Sequence, residues 1–248
     1  MTVSHHFERV APVYESLRTT DQAPVQTIRE LLPNRRVVGV DVGCGTGRYS
    51  KPLSALLPDG SLLLASDLSA GMLAELRASN GHTGLAPVRS TAEELPIRSG
   101  SLDLVTSFNA VHHFDLDRFL TTAAEVLRPG GQLFVYTRTQ EQNARTVWGR
   151  WFPGFTEHER RLHSESSLRG AVRRTRGLEL SGTHSFHYPR SSTPERLRAQ
   201  AEGHHYSTFS LYSPDELSEA IDSFLARLPA GGVDWVDEHL LLVARRES

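Results

Sequence analysis

The sequence contains one cysteine, Cys44, and one lysine, Lys51. A single thiol excludes an intramolecular disulfide framework, and no thiolate cluster exists to hold a structural metal. No run of about 18 apolar residues occurs, so a membrane-spanning helix is not expected. Met1 to Glu15 carries charge and histidines where a secretory leader needs an apolar centre, and a soluble cytoplasmic protein is the expectation. An excess of one charge is missing too. The formal net charge is -2, which gives no long-range pull on phosphate backbones, and the densest arginine patch, residues 169 to 176, reads as a solvated helix face. Nucleic acid is therefore not expected as a partner. Arginine fills nearly all of the 27 basic positions, a bias that fits a GC-rich bacterial genome. A chain of this length buries roughly 70% of its unfolded surface without staples, which suits one domain.

The chain is organised around residues 37 to 47, VVGVDVGCGTG. A β-branched apolar run reaches an acid and breaks into alternating glycines, the pattern of a buried parallel strand that ends in a tight turn and feeds a helix. Glycine lacks a Cβ, so a ligand can approach such a backbone closely, and the next helix, from about Arg48 to Leu57, offers free N-H groups at its start. The spacing Gly43-x-Gly45-x-Gly47 departs from the dinucleotide fingerprint, whose third glycine lies three positions after the second. Arg48 fills that slot, which disfavours a dehydrogenase. With Asp41 two residues before the first glycine, the stretch reads D-x-G-x-G-x-G and resembles motif I of the class I S-adenosylmethionine-dependent methyltransferases. Cys44, between two of these glycines, reads as a small residue in a tight turn.

Further stretches extend the resemblance in the same order. Residues 61 to 67, SLLLASD, end a second apolar strand in Asp67, where an acid can accept both hydrogens of a ribose diol. Leu68 follows, Ser69 can cap the next helix, and Met72 falls where the family packs a side chain on adenine; plain core is the alternative. Residues 91 to 97, TAEELPI, resemble the family's D-A-E-x-L-P-F loop at the adenine edge. Thr91 replaces the usual Asp and is a weaker, neutral acceptor, Ala92 keeps its backbone N-H, and Glu93 is either part of the loop's site or a surface charge. Residues 101 to 113, SLDLVTSFNAVHH, match the family pattern S-F-D-x-V-x-x-x-x-x-x-H-H. There the backbone near Phe108 and Asn109 receives the amino end of the cofactor. His112 and His113 are candidates for a general base, with helix-start hydrogen bonding as the alternative. Near the N-terminus, residues 7 to 15 resemble the entry of small-molecule methyltransferases, in which an aromatic such as Tyr14 closes over the cofactor; a core stripe would look the same.

The implied fold is α/β, a doubly wound, Rossmann-like, seven-stranded and mostly parallel sheet with an antiparallel last strand, N-terminal helices and an inserted helical lid. Expected divisions are 1–35 for the helical cap, 36–136 for the cofactor core, 137–232 for the lid with the sixth strand, and 233–248 for the last strand. Strand six is expected over 178–188 and strand seven over 237–244. Arg138, Trp148, Trp151, His184 and Tyr206 are substrate-pocket candidates, since arginine suits a carboxylate or phosphate and the aromatics an apolar body; packing or surface roles are the alternatives. No histidine pair is completed into a metal set. The expected activity is in-line methyl transfer from S-adenosylmethionine, yielding S-adenosylhomocysteine, to an oxygen, nitrogen or carbon of a small molecule. An RNA or protein methyltransferase would need a basic groove or an N/D-P-P-Y motif, and neither is present. A non-catalytic S-adenosylmethionine- or nucleotide-binding protein is the third reading.

Overall fold

The computed structural model describes residues 20–79, 84–229 and 231–247. Tyr14 and the first expected helix lie outside them. Seven strands form one sheet: β1 (Val38–Val42), β2 (Leu62–Asp67), β3 (Leu85–Arg89), β4 (Leu102–Phe108), β5 (Leu127–Thr137), β6 (Leu178–Ser192) and β7 (Val233–Arg246), in spatial order β3-β2-β1-β4-β5-β7-β6. Only β7 runs antiparallel, between β5 and β6. The chain moves outward in one direction from β1 to β3 and in the other from β4 to β5. This reversal opens a crevice at the carboxyl ends of β1 and β4, the place where such sheets bind ligands.

Helices cover both faces, so β1 and β4 are buried along nearly their whole length. On one face α1 (Ala23–Leu31), α2 (Ser50–Leu56) and α3 (Ala70–Ala78) supply Val25, Ile28, Leu53 and Leu73 to a core with Leu63, Phe134 and Leu241. On the other, α4 (Leu116–Val126) contributes Phe119 and Leu120 against Val40 and Leu133. Ser69 and Asp115 cap α3 and α4 by accepting from the backbone N-H of Met72 and Arg118, satisfying donors that a helix start leaves unpaired.

Between β5 and β6 come three short helices, α5 (Gln140–Arg145), α6 (Val147–Trp151) and α7 (Phe155–His158), then α8 (Glu165–Arg174). The first three belong to the lid. α8 does not: its Leu168, Ala171 and Val172 enter the sheet core beside α4, so the lid segment is interrupted by a crossover helix. After β6, α9 (Pro194–Glu202) and α10 (Pro214–Arg227) complete the lid. Trp148, Phe152, Phe155, Phe209 and Phe224 form its own small core. β6 and β7 are both longer than their apolar patterns foretell. They continue as a two-stranded ribbon in which Ser192 pairs with Val233 and Arg190 with Trp235. Polar residues dominate that extension, so its hydrophobic alternation fades before its hydrogen bonding does.

Candidate active site

The turn after β1 is held from two sides. Gly43 and Cys44 both donate to the Ser66 carbonyl, at 2.8 and 2.9 Å. Gly45 N-H donates to Asp67 Oδ2 at 2.8 Å, and Ser69 N-H to Asp67 Oδ1 at 2.8 Å. Each Asp67 oxygen thus retains a lone pair for a further donor. Gly45 has φ 56°, and a Cβ built there would meet no atom within 4 Å; its open side faces a cavity. Gly43 has φ 72°, and its Cβ would lie 2.5 Å from Ala110 Cβ. Gly47 does not border the cavity. A Cβ there would stand 2.5 Å from Leu76 Cδ1, so its lack of a side chain serves the packing of α3 against the turn, a correction to its expected place among cofactor-binding residues.

Behind this turn Asp41 is buried, accepting from Ser50 Oγ at 2.5 Å and Thr106 Oγ1 at 2.9 Å. These bonds tie β1 to the start of α2 and to β4. Burial pushes the Asp41 carboxyl up to about 7, against the opposing pull of the two hydroxyls and with help from nearby Asp67. Burial raises the Asp67 carboxyl as well. Cys44 is buried and its thiol is pushed well above the ordinary range by burial and then by Asp41 and Asp67. It is therefore protonated, unlike a nucleophilic thiolate.

A cavity of about 420 Å³ runs from this turn to the lid. Asp41, Gly43, Gly45, Asp67, Leu68, Met72, Thr91, Ala92, Glu93, Phe108 and Asn109 border it, as do His112, His113, Arg138, Trp148 and Tyr206. Trp151 and His184 do not. Trp151 packs, half-buried, against the lid core. His184 is exposed on β6. Trp148 touches the cavity only from within the lid core, where it is 2% exposed. Asn109 holds φ 53°, a left-handed backbone stabilised by its N-H bond to the Tyr136 carbonyl at 2.7 Å. Such strain at a strand's carboxyl end is characteristic of ligand sites. Thr91 Oγ1 accepts from Glu94 N-H at 3.2 Å, and Glu93 accepts from Asp115 N-H at 2.9 Å. Thr46 Oγ1 borders the cavity and is buried with no partner among the described residues.

The lid half holds residues that motif reading misses. Asp237 forms an ion pair with Arg138 Nη2 at 3.1 Å and accepts from Arg190 Nε at 3.3 Å and Trp235 Nε1 at 2.9 Å. Arg190 Nη2 also meets both oxygens of Asp21, at 2.7 Å each. His239, two residues along the same face of β7, stacks on Tyr136 with ring centres 5.0 Å apart. Burial, then the charges of Arg138, Arg190 and Arg48, hold its pKa well below the ordinary histidine value, so the ring is neutral. Its Nδ1, Arg138 Nε and Ser192 Oγ are buried without hydrogen-bond partners among the described residues, and all three residues border the cavity. The signal in the sequence is the pattern D-x-H at the start of an otherwise apolar strand, two polar residues on one face.

Residues 40–135 match the family model described as methyltransferase domain. The chain is 33% identical over 151 residues to a ubiquinone biosynthesis O-methyltransferase of Sinorhizobium fredii, a match spanning 58% of each chain. It is 35% identical over 130 residues to a malonyl-acyl-carrier-protein O-methyltransferase of Dechloromonas aromatica, covering 52% of this chain and 47% of that one. The chain thus spans about half the length of the curated relatives it matches. Among solved structures, a Bacillus halodurans protein described as a methyltransferase superposes with a TM-score of 0.66 at 22% identity, covering 93% of this chain and all of the other; that likeness bears on the fold.

Proposed function

We propose that this chain, a class I methyltransferase by its sheet and by the domain at residues 40–135, transfers a methyl group from S-adenosylmethionine to a small acceptor molecule. The observation that carries the reading is the pairing of Gly45, whose open side leaves room for a ligand against the backbone, with Asp67, whose two oxygens are aimed by Gly45 and Ser69. Asp67 accepts the two ribose hydroxyls. Thr91, its oxygen engaged by Glu94 N-H, keeps its O-H to donate to an adenine nitrogen, while Ala92 offers its backbone N-H and Leu68 and Met72 flank the base. Phe108 and Asn109 present backbone to the amino-acid end. Bound there, S-adenosylmethionine would supply an electrophilic methyl on a sulfonium sulfur.

The protein's own part is positioning. A closed, oriented pocket supplies most of the acceleration for a displacement of this kind, because the acceptor is held in line and water is kept out. The lid core of Trp148, Phe152 and Phe224 fixes the far wall, with Tyr206 beside Arg138 at 5.3 Å. When the acceptor is a hydroxyl or a protonated amine, a general base that takes its proton helps, and a neutral imidazole is suited to that work. We assign that role to His239, which is neutral, buried and has Nδ1 unused. His112 and His113, whose rings lie 4.0 Å apart, border the cavity as the alternatives.

Isothermal titration with S-adenosylmethionine, S-adenosylhomocysteine and NAD separates the readings. The first two should bind and NAD should not. Asp67→Asn should weaken both by on the order of a hundredfold, about 2 to 3 kcal/mol, because one acceptor oxygen becomes an NH2 group facing a backbone donor. Binding of NAD alone, or an unchanged affinity in the variant, sinks the assignment.

A further inference from the structure

We propose that the acceptor substrate carries a carboxylate and that the Arg138 guanidinium receives it; this rests on the methyltransferase reading of the other half of the cavity. Arg138 follows β5 directly, and its side chain is 8% exposed. One of its nitrogens, Nη2, is paired with Asp237, but the Nε-H has no partner among the described residues. Burial opposes its charge, yet the Tyr206 phenol and Asp237 raise its pKa, so the guanidinium stays cationic. A buried cation with an unfilled donor on a cavity wall calls for an acceptor from the cavity, and a carboxylate matches an arginine edge in plane and in charge.

The surrounding charges agree. Asp237 is shared between Arg138 and Arg190, so it neutralises neither fully, and Asp21 is taken by Arg190. His239 agrees: after burial, the charges that lower its pKa are those of Arg138, Arg190 and Arg48. Arg196 borders the same cavity. Glu159, the other acid on this side, is occupied by Arg161 at 2.5 Å and Thr208 at 2.6 Å. Alongside the unfilled Arg138 donor, Ser192 Oγ and His239 Nδ1 are also buried and, among the described residues, unpartnered. One unfilled cationic donor beside two neutral groups suits a planar carboxylate with a neighbouring polar group, whereas a phosphate would leave oxygens without donors.

Two sources could bring a carboxylate here, the acceptor substrate or the amino-acid tail of the cofactor. Calorimetry with S-adenosylhomocysteine and with 5′-methylthioadenosine, which lacks that tail, tells them apart. Arg138→Gln should leave both affinities within about twofold, an allowance for ordinary context effects; a loss confined to S-adenosylhomocysteine overturns the proposal in favour of the cofactor's tail. The second arm titrates the S-adenosylhomocysteine-loaded protein with matched carboxylates and primary amides: benzoate and benzamide, cinnamate and cinnamamide, octanoate and octanamide. At least one carboxylate should bind tenfold or more tightly than its amide, a margin in line with a charge-assisted bond, and Arg138→Gln should abolish that margin while Arg138→Lys keeps part of it. No preference in any pair, or a preference that survives Arg138→Gln, overturns the proposal. A third readout needs no variant. In the wild-type protein, saturation with the preferred carboxylate should raise the pKa of His239, followed by its imidazole NMR signal, because the bound anion offsets the arginine field; an unmoved titration counts against the site. Failure of S-adenosylhomocysteine to bind would instead strike the methyltransferase reading, since the carboxylate pairs can be titrated without it.

Discussion

Replacing Asp41 by Asn should stabilise the protein at neutral and alkaline pH and leave it nearly unchanged in acid. The carboxyl rises from 3.8 to about 7 on folding. Below pH 4 the folded and unfolded chains both carry the proton. Between pH 4 and 7 the folded chain holds it and the unfolded chain does not, so stability falls as pH rises through that window and levels off above it. The difference corresponds to on the order of 4 kcal/mol at 1.36 kcal/mol per pH unit, an upper bound because water entry and relaxation lessen the cost of a buried charge. Asn can keep both bonds: its carbonyl accepts from one hydroxyl, and its NH2 donates to the other after that hydroxyl turns. Wild-type stability alone would blur the effect. Asp67 is raised too and tilts the curve the same way. His239 is lowered, so its contribution is lost as pH falls below about 6.5, the opposite slope. Taking the difference between variant and wild type removes the His239 slope and leaves of Asp67 only its coupling to Asp41. Urea unfolding at pH 4.5, 6 and 8 should show the variant's advantage growing from at most about 1 kcal/mol to as much as about 4 kcal/mol. A difference independent of pH, or a variant less stable at pH 8, would refute the buried-charge argument.

The glycine turn and the lid yield further tests. Gly45→Ala should fold, at a cost of roughly 1 to 2 kcal/mol for a left-handed alanine, yet weaken S-adenosylhomocysteine binding at least tenfold in calorimetry, since its methyl would enter open cavity. Gly43→Ala should instead damage the fold, because its Cβ would stand 2.5 Å from Ala110 and 2.9 Å from Phe114; a thermal midpoint no lower than that of Gly45→Ala would contradict this. Trp148→Ala empties the centre of the lid core and should cost about 3 to 5 kcal/mol in denaturant unfolding. A loss below 1 kcal/mol would mean the lid core collapses around the gap.

The parts of the fold and site that were legible are those whose signal is local. Asp41, Gly43 and Gly45 advertise a turn because a parallel strand buried on both faces must be apolar until it ends, and its end must bend sharply. Asp67 is legible for the same reason one strand later. Gly47 shows the limit of such reading: its spacing is right, but only three-dimensional contact with Leu76 reveals that it serves packing. The lid half was far less legible. Arg138 and Tyr206 were singled out by type and rough position, whereas Asp237 and His239 lie a hundred residues further along, in a strand that reads as plain core. Antiparallel pairing brings them beside β5, since β7 enters the sheet between β5 and β6. That placement depends on non-local register, to which no sequence window is sensitive. Trp151 and His184 fail in the converse way, as residue types that suit a pocket but that packing and strand orientation send elsewhere. The contrast has a physical cause. The half of the cavity proposed for a nucleoside is built from one turn and the two strands beside it, so it leaves a compact pattern; the half proposed for an acceptor draws on β5, β6, β7 and the lid and leaves only isolated polar residues, each of which would look like surface until the sheet brings them together.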